Sequence, residues 1–429
     1  MRGQNCLHRI AVAVSPWAWV LVSNFCLPLT VAAQAQELRV LHWWRSPGER
    51  LASDMLAAEA RRAQIGWREI DVGDGFGAGI VLRSRILSGD LPDVVQVNSL
   101  SVPSWALLGQ IVALNDVAES SNWNATLLPA VSRMMRMDGQ MRAAPLGVHR
   151  VNTLFYNRRL LARLRLRTPH TWDEFERVAE RLRRAGVVPL AQSSEPWQIV
   201  LLFENLLLAQ AGAGFHGRVF LGADESALAD PDMARALLQL RRLKRWMPQP
   251  VPELDWPTVT RQLAAGGAAM MLSGDWAKGE LNAAGLVTDR EFGCTAAPGT
   301  AAIHLYDLDA LVMLRSRQPV RDAQRKLAQI VLSSTLQNRY NQLKGSVPVL
   351  RRPDRASMDS CARASWDLLA QPNAVLVPSY TAGTSGNEAM RSVLIDELHR
   401  FFMDDQIDVL DTQRRLIKAC SAIKKARLP

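Results

Sequence analysis

Leu38-Arg39-Val40-Leu41-His42-Trp43-Trp44, followed by Arg45-Ser46-Pro47-Gly48-Glu49, is the stretch from which the fold can be read. Its apolar start reads as a short strand and Ser46-Pro47-Gly48 as a turn, after which Leu51, Met55 and Ala58 recur at helical spacing. A second strand follows at Trp67 to Val72, then a Gly-rich turn at Gly73 to Gly79, a helix through Ile86 and a buried strand at Val94-Val95-Gln96-Val97. Strands alternating with helices predict an α/β fold on a parallel-type sheet. Trp43 and Trp44 stand where the first strand ends, the place of ligand sites in α/β sheets. Both cannot face one core, so one packs inward and the other offers a flat apolar wall to a cleft. Glu49 stands near the start of the next helix and can accept from ligand hydroxyls. The plainer reading is two core tryptophans and a helix-start acid.

The middle of the chain reads as helical. Thr171-Trp172-Asp173-Glu174 has capping-box spacing, in which the Thr hydroxyl accepts one free N–H and Glu174 reaches back to another. Phe175, Val178, Ala179 and Leu182 then line one face, and Gly186 ends the helix. Leu237, Leu240, Leu243 and Met247 form a second apolar stripe, closed by Pro248. Strand signals return at Ile303 to Met313, and helical ones from Arg321 to Tyr340. With 429 residues the chain is long for one compact unit. It shows no repeat, no low-complexity tract and no Gly/Ser linker, which predicts two lobes joined by several short crossings.

The N-terminus has the layout of a secretory signal peptide: Arg2 and Arg9, an apolar stretch from Ile10 to Val22, then Ala33-Gln34-Ala35 as a small-x-small cleavage site. Cleavage near Ala35 would send the chain to the periplasm. No later segment reads as long and apolar enough to span a bilayer. Losing this segment removes two arginines and no acid from the formal net charge of +10, leaving about +8. The remaining arginines are spread along helices beside acids or apolar residues, as on solvated helix faces, so no nucleic-acid partner is expected. Cys294, Cys361 and Cys420 remain, and in an oxidising compartment two of the three can pair. With no CxxC and no Cys/His cluster, neither a structural zinc nor another metal or cofactor is expected.

Catalytic motifs fail one by one. Gly73-Asp74-Gly75-Phe76-Gly77-Ala78-Gly79 lacks both GxGxxG spacing and a GK[ST] ending. Gly383-Thr384-Ser385-Gly386 is not GxSxG, and Ser273-Gly274-Asp275-Trp276 is not SxxK. The seven histidines never fall at metal-ligand spacing. No pair of carboxylates stands out as a glycosidase pair. The expectation is a binding protein, not an enzyme.

Over nearly the whole mature chain, ordered blocks resemble the glucose/mannose-type periplasmic sugar-binding proteins of ABC transporters, extracellular solute-binding family 1, in the maltose-binding-protein superfamily. The blocks are His42-Trp43-Trp44 with Glu49, Leu91-Pro92-Asp93-Val94-Val95-Gln96, Pro145-Leu146-Gly147-Val148-His149-Arg150-Val151-Asn152, Thr171-Trp172-Asp173-Glu174-Phe175, Glu195-Pro196-Trp197-Gln198 and Gly274-Asp275-Trp276-Ala277-Lys278-Gly279-Glu280. Ala297-Pro298-Gly299-Thr300 and Lys344-Gly345-Ser346-Val347-Pro348-Val349 follow in the expected order. The resemblance implies a two-lobed, type II-like periplasmic-binding-protein fold that closes on a sugar. Its N-terminal lobe would hold residues 36–147 and 302–350, and its C-terminal lobe 148–301 and 351–429.

It also implies a substrate site of Trp43, Trp44, Glu49, Asn98, Trp276, Asp309 and Lys344, in which rings stack on the sugar while Asp309 accepts and Lys344 donates. The expected partners are a neutral mono- or oligosaccharide and the permease subunits of an ABC transporter, met by a monomer. A sugar sensor for a membrane receptor kinase and a glycan-acting enzyme are the alternatives. The relatives further imply a Cys294–Cys361 disulfide with Cys420 left over. Two positions depart from the glucose-binding pattern: Asn98 stands where those relatives carry Lys, and Ala382 where they carry a sugar-contacting His. Carbohydrate is therefore expected, with glucose unassigned.

Overall fold

The structure, a computed structural model, describes residues 36–70, 72, 78–98, 101–102, 109–315, 320–381 and 388–426. The signal segment 1–35, the greater part of the Gly-rich turn, Ala382 and Gly383 to Gly386 lie outside the described residues.

Two sheets organise the rest. In the first, β1 (Gln36–Leu41) runs parallel to β2 (Ile65–Ile70) and β3 (Val94–Asn98), and α1 (Pro47–Arg62) and α2 (Ala78–Ser88) make the crossovers. After β4 (Ala144–Arg150) the chain crosses to a second sheet of β5 (Thr153–Asn157), β6 (Val188–Ala191), β7 (Ala268–Ser273) and β8 (Phe292–Ala296), ordered β8-β5-β7-β6. It returns as β9 (Ile303–Met313), which pairs antiparallel with β3 and β4, while β10 (Val375–Pro378) lies parallel to its first residues. The first sheet is thus mixed rather than parallel throughout. β9 arrives from the other lobe and not through a helical crossover beside it, so nothing requires it to run parallel.

Each sheet has its own core. Leu38, Val40, Val95 and Leu308 anchor the first; Phe203, Leu237 and Leu398 anchor the second. A smaller cluster of Phe155, Ala277, Leu281 and Phe292 completes the second lobe. The boundary expected at residue 350 moves: Met358, Trp366 and Leu369 pack in the first core, so that lobe also takes the helix Ser360–Leu369. In α1 Met55 is buried as expected, with Ala52, Leu56 and Ala60, whereas Leu51 is exposed and Ala58 only partly buried. Thr171 accepts from the Glu174 N–H at 3.2 Å as expected, but the Glu174 carboxylate reaches one residue further back, to the His170 N–H.

The expectation of no second membrane-length segment is corrected too. The helix Pro196–Phe220 is 25 residues long and apolar enough to cross a membrane by length and composition. Its stretch Ile199–Leu208 is buried in the second core, which accounts for its apolarity. Gly212, at φ 75°, breaks the helix and lets His216 return to Glu204 at 2.9 Å. A side chain there would be strained, which glycine avoids. Glu204 in turn accepts from the Tyr380 N–H, the Ser379 hydroxyl and the Thr381 hydroxyl, and so fixes the last passage of the chain between lobes.

The crossings fall at 150–153, 296–303 and 378–381. Asn152 ties the first two: its amide donates to the Thr300 hydroxyl and the Ile303 carbonyl, both at 2.9 Å, and its oxygen accepts from the Leu305 N–H. Cys294 on β8 is bonded to Cys361 on the Ser360–Leu369 helix, a covalent link from the second sheet to the first core. Among the described residues Cys420 is the free thiol, and it is buried.

Candidate functional site

The N-terminus of α1 is built by a capping box. Ser46 accepts from the Glu49 N–H, and Glu49 Oε2 accepts from the Ser46 and Arg45 N–H groups at 3.3 and 3.0 Å. Its other oxygen, Oε1, accepts from Lys344 Nζ at 2.8 Å. The helix-start reading of Glu49 is met by one oxygen, while the other is held by Lys344. Lys344 closes the helix Ser334–Lys344, whose Gly345 C-cap stands at φ 94°. A Cβ on Gly345 would lie 2.2 Å from the Asp275 carbonyl, so the second lobe comes that close only to glycine.

A buried chain of charges runs between the lobes from Lys344. Its Nζ lies 3.9 Å from Asp309 Oδ2, and Asp309 Oδ1 accepts from the Gln96 amide at 2.9 Å. Asp309 Oδ2 is 3.3 Å from His149 Nε2, while His149 Nδ1 meets Asp275 of the second lobe at 2.5 Å. The second Asp275 oxygen accepts from the Arg150 N–H at 3.0 Å. Burial alone would lower the His149 imidazole, but Asp275 and Asp309 outweigh it and push it up to about 9. Lys344 is likewise raised: burial opposes its charge, and the carboxylates of Glu49 and Asp309 restore it. Asp309 is held low despite its burial, by the His149 bond and the Lys344 charge. The lobes meet again where Glu280 Oε2 accepts from the Gly48 N–H at 3.0 Å.

Around this chain stand aromatic rings. Trp44 is buried against Tyr340, with centroids 5.9 Å apart, and stacks on His42. Trp43 is only partly buried, packed against the first core, and no contact with the charged chain is seen for it among the described residues. Trp276 begins the helix Trp276–Ala283 and sets its ring edge-on to His149 at 5.5 Å and near Trp197 at 6.4 Å. Asn98, at the end of β3, donates to Asp307, the neighbour of Asp309 on the same face of β9.

Of the seven expected residues, Glu49, Asp309 and Lys344 thus form one connected group. Trp44, Trp276 and Asn98 each touch a member or a direct neighbour of it. Gln96, His149, Asp275, Asp307 and Tyr340 join the cluster without having been singled out. The first three stand inside the motif blocks Leu91–Gln96, Pro145–Asn152 and Gly274–Glu280, where their polarity within apolar surroundings was the available signal. Among the described residues no group of His, Cys, Asp and Glu could hold a metal ion. The arrangement offers charge-assisted donors and acceptors between apolar rings, a chemistry suited to gripping a polyhydroxyl ligand.

The profile of bacterial extracellular solute-binding proteins matches residues 69–303. A probable sugar-binding periplasmic protein of Rhizobium meliloti is 28% identical over 410 residues, covering 95% of this chain and 98% of its own. One of the same description from Brucella suis is 27% identical over 401 residues, covering 92% and 95%. Among solved structures, the maltose-bound MalE3 of T. maritima aligns with a TM-score of 0.74 at 17% identity, over 91% of this chain and 100% of that one. A chitin oligosaccharide binding protein aligns at 0.77 with 18% identity over the same shares. Both have the two-lobed α/β fold found here.

Proposed function

Because this chain belongs to the bacterial extracellular solute-binding protein family, we propose that it is exported, captures a sugar between its lobes and delivers it to an ABC transporter permease. The observation that carries this is the buried charged chain Glu49–Lys344–Asp309–His149–Asp275, which joins the two lobes beside Trp276. The sugar-binding descriptions of full-length relatives support the ligand class. A sugar would lie where the lobes meet, with Trp43 and Trp276 offering apolar faces to its C–H surfaces. Lys344 then donates to its hydroxyls while Asp309 and Glu49 accept. The lobes rotate about the three crossings, and Asn152 keeps two of those crossings in register as they move. The mature chain starts near Gln36, stays monomeric in the periplasm and releases the sugar unchanged.

Trp276→Ala and Trp43→Ala are each expected to weaken sugar binding at least tenfold, about 1.4 kcal/mol, with circular dichroism and unfolding temperature nearly kept. Trp44→Ala should instead destabilise by about 3–5 kcal/mol, since Trp44 is core. Titration calorimetry beside thermal unfolding separates the two effects. Full affinity in both Trp276→Ala and Trp43→Ala would remove these rings from the site.

A further inference from the structure

The charges at the lobe junction do not balance. Among the described residues four carboxylates gather there, those of Glu49, Asp275, Asp307 and Asp309, with three cations: Lys344, His149 and Arg150. Lys344 is taken by Glu49 and Asp309, and His149 by Asp275 and Asp309. The Arg150 guanidinium turns away to Asn152 and the carbonyls of Ala301 and Ile303. Lys278 and Glu280, on the facing helix, are also engaged: Lys278 with Asp359, Glu280 with the Gly48 N–H and at 3.9 Å with Arg261. The odd charge is Asp307, buried on β9, whose side-chain partner is the neutral amide of Asn98.

A second, independent shortage lies around Asp309, two residues along β9. The Tyr340 hydroxyl is fully buried, has no hydrogen-bond partner among the described residues and feels the carboxylates of Asp309 and Glu49. The Gln96 side-chain oxygen is equally buried and without a partner among the described residues, on the amide that bonds Asp309. Burying such groups unpaired is costly. Among the described residues the junction therefore has one more carboxylate than cations, a carbonyl oxygen on Gln96 without a donor and a Tyr340 hydroxyl without a partner. A neutral hydroxyl brings one donor and no charge, whereas an ammonium brings three donors and the missing charge.

We propose that the sugar taken by this site is an amino sugar, whose ammonium is received by Asp307 on β9, beside Asn98 at the end of β3. This rests on the sugar-binding reading above and deepens it to a ligand class. A proton can answer the same shortage: burial and the adjacent Asp309 carboxylate, against the weaker pull of His149, push Asp307 up to about 7. An ammonium must displace that proton, so amino-sugar affinity rises with pH toward 7.

Titration calorimetry of the full-length mature protein with D-glucosamine, D-galactosamine and D-mannosamine, each against its parent hexose and its N-acetyl form, tests this. At least one amine should bind at least tenfold tighter than both uncharged counterparts at pH 7, and lose several-fold between pH 7 and 5.5. Asp307→Asn should abolish the preference. Asn98→Lys, which places a cation beside Asp307 and leaves that carboxylate in place, should abolish it as well, so the test survives if one variant fails to fold. Parent hexoses binding tighter than their amines would overturn the inference and leave the sugar-binding reading standing. An amine preference unchanged in both variants would overturn the role of Asp307. If neither these sugars nor any other binds, both readings fall together.

Discussion

Replacing Cys294 and Cys361 together with alanine is expected to lower stability by about 4 kcal/mol. The bond spans 67 residues of chain, and closing a loop of that length restricts the unfolded state by roughly that amount. The loss has a structural address as well. Cys294 lies on β8 of the second sheet and Cys361 on a helix packed in the first core, so the bond bridges the lobes beside the crossings. Urea denaturation of oxidised wild type and of the double variant measures the difference, with the free Cys420 retained in both. A difference under about 1 kcal/mol would show that the unfolded chain is not restrained by this link.

A comparable loss, about 3–5 kcal/mol at pH 6, is expected for His149→Gln, because it leaves Asp275 and Asp309 buried and facing each other without their shared cation. Its pH dependence identifies the cause. The imidazole is raised from its ordinary 6.5 to about 9 in the folded state, so the folded protein holds a proton that the unfolded chain gives up between those values. The contribution of His149 is thus complete below about 6.5 and is lost as pH rises through 9. The gap between wild type and variant should shrink by roughly 3 kcal/mol over that window. A gap that stays constant from pH 6 to 9.5 would mean that the ring acts through packing alone.

The parts legible in the sequence are those governed by local pattern. The apolar run at Leu38–Leu41, the turn at Ser46–Gly48 and the alternation through Val97 lead to the first sheet because each element announces itself over a few residues. That one of Trp43 and Trp44 is core was readable, since two adjacent tryptophans cannot both be buried equally in one core, and Trp44 is that residue. What local pattern cannot carry is the meeting of distant residues. The direction of β9 depends on which lobe the chain returns from, and the fate of Pro196–Phe220 depends on what surrounds it. An apolar helix reads alike in a membrane and in a core. His149, Asp275 and Asp309 are separated by more than a hundred residues along the first step of their contact, and their shared proton exists only once the lobes meet. Asp307 became conspicuous only through a charge count over several elements. Glu49 shows the intermediate case, since its place at a helix start was readable but its bond to Lys344 was not. The Cys294–Cys361 pair was expected from resemblance alone; spacing left three pairings open.

The central claim, that the two lobes bind a sugar and return it unaltered, is tested most directly by thermal unfolding of the mature protein across a panel of sugars, with each sugar recovered afterwards. At about 100 times its Kd a true ligand should stabilise the folded protein by roughly 2.7 kcal/mol. The account predicts that at least one sugar does so and is recovered chemically intact. A panel in which no sugar shifts the transition, or in which the stabilising sugar is consumed, would contradict it.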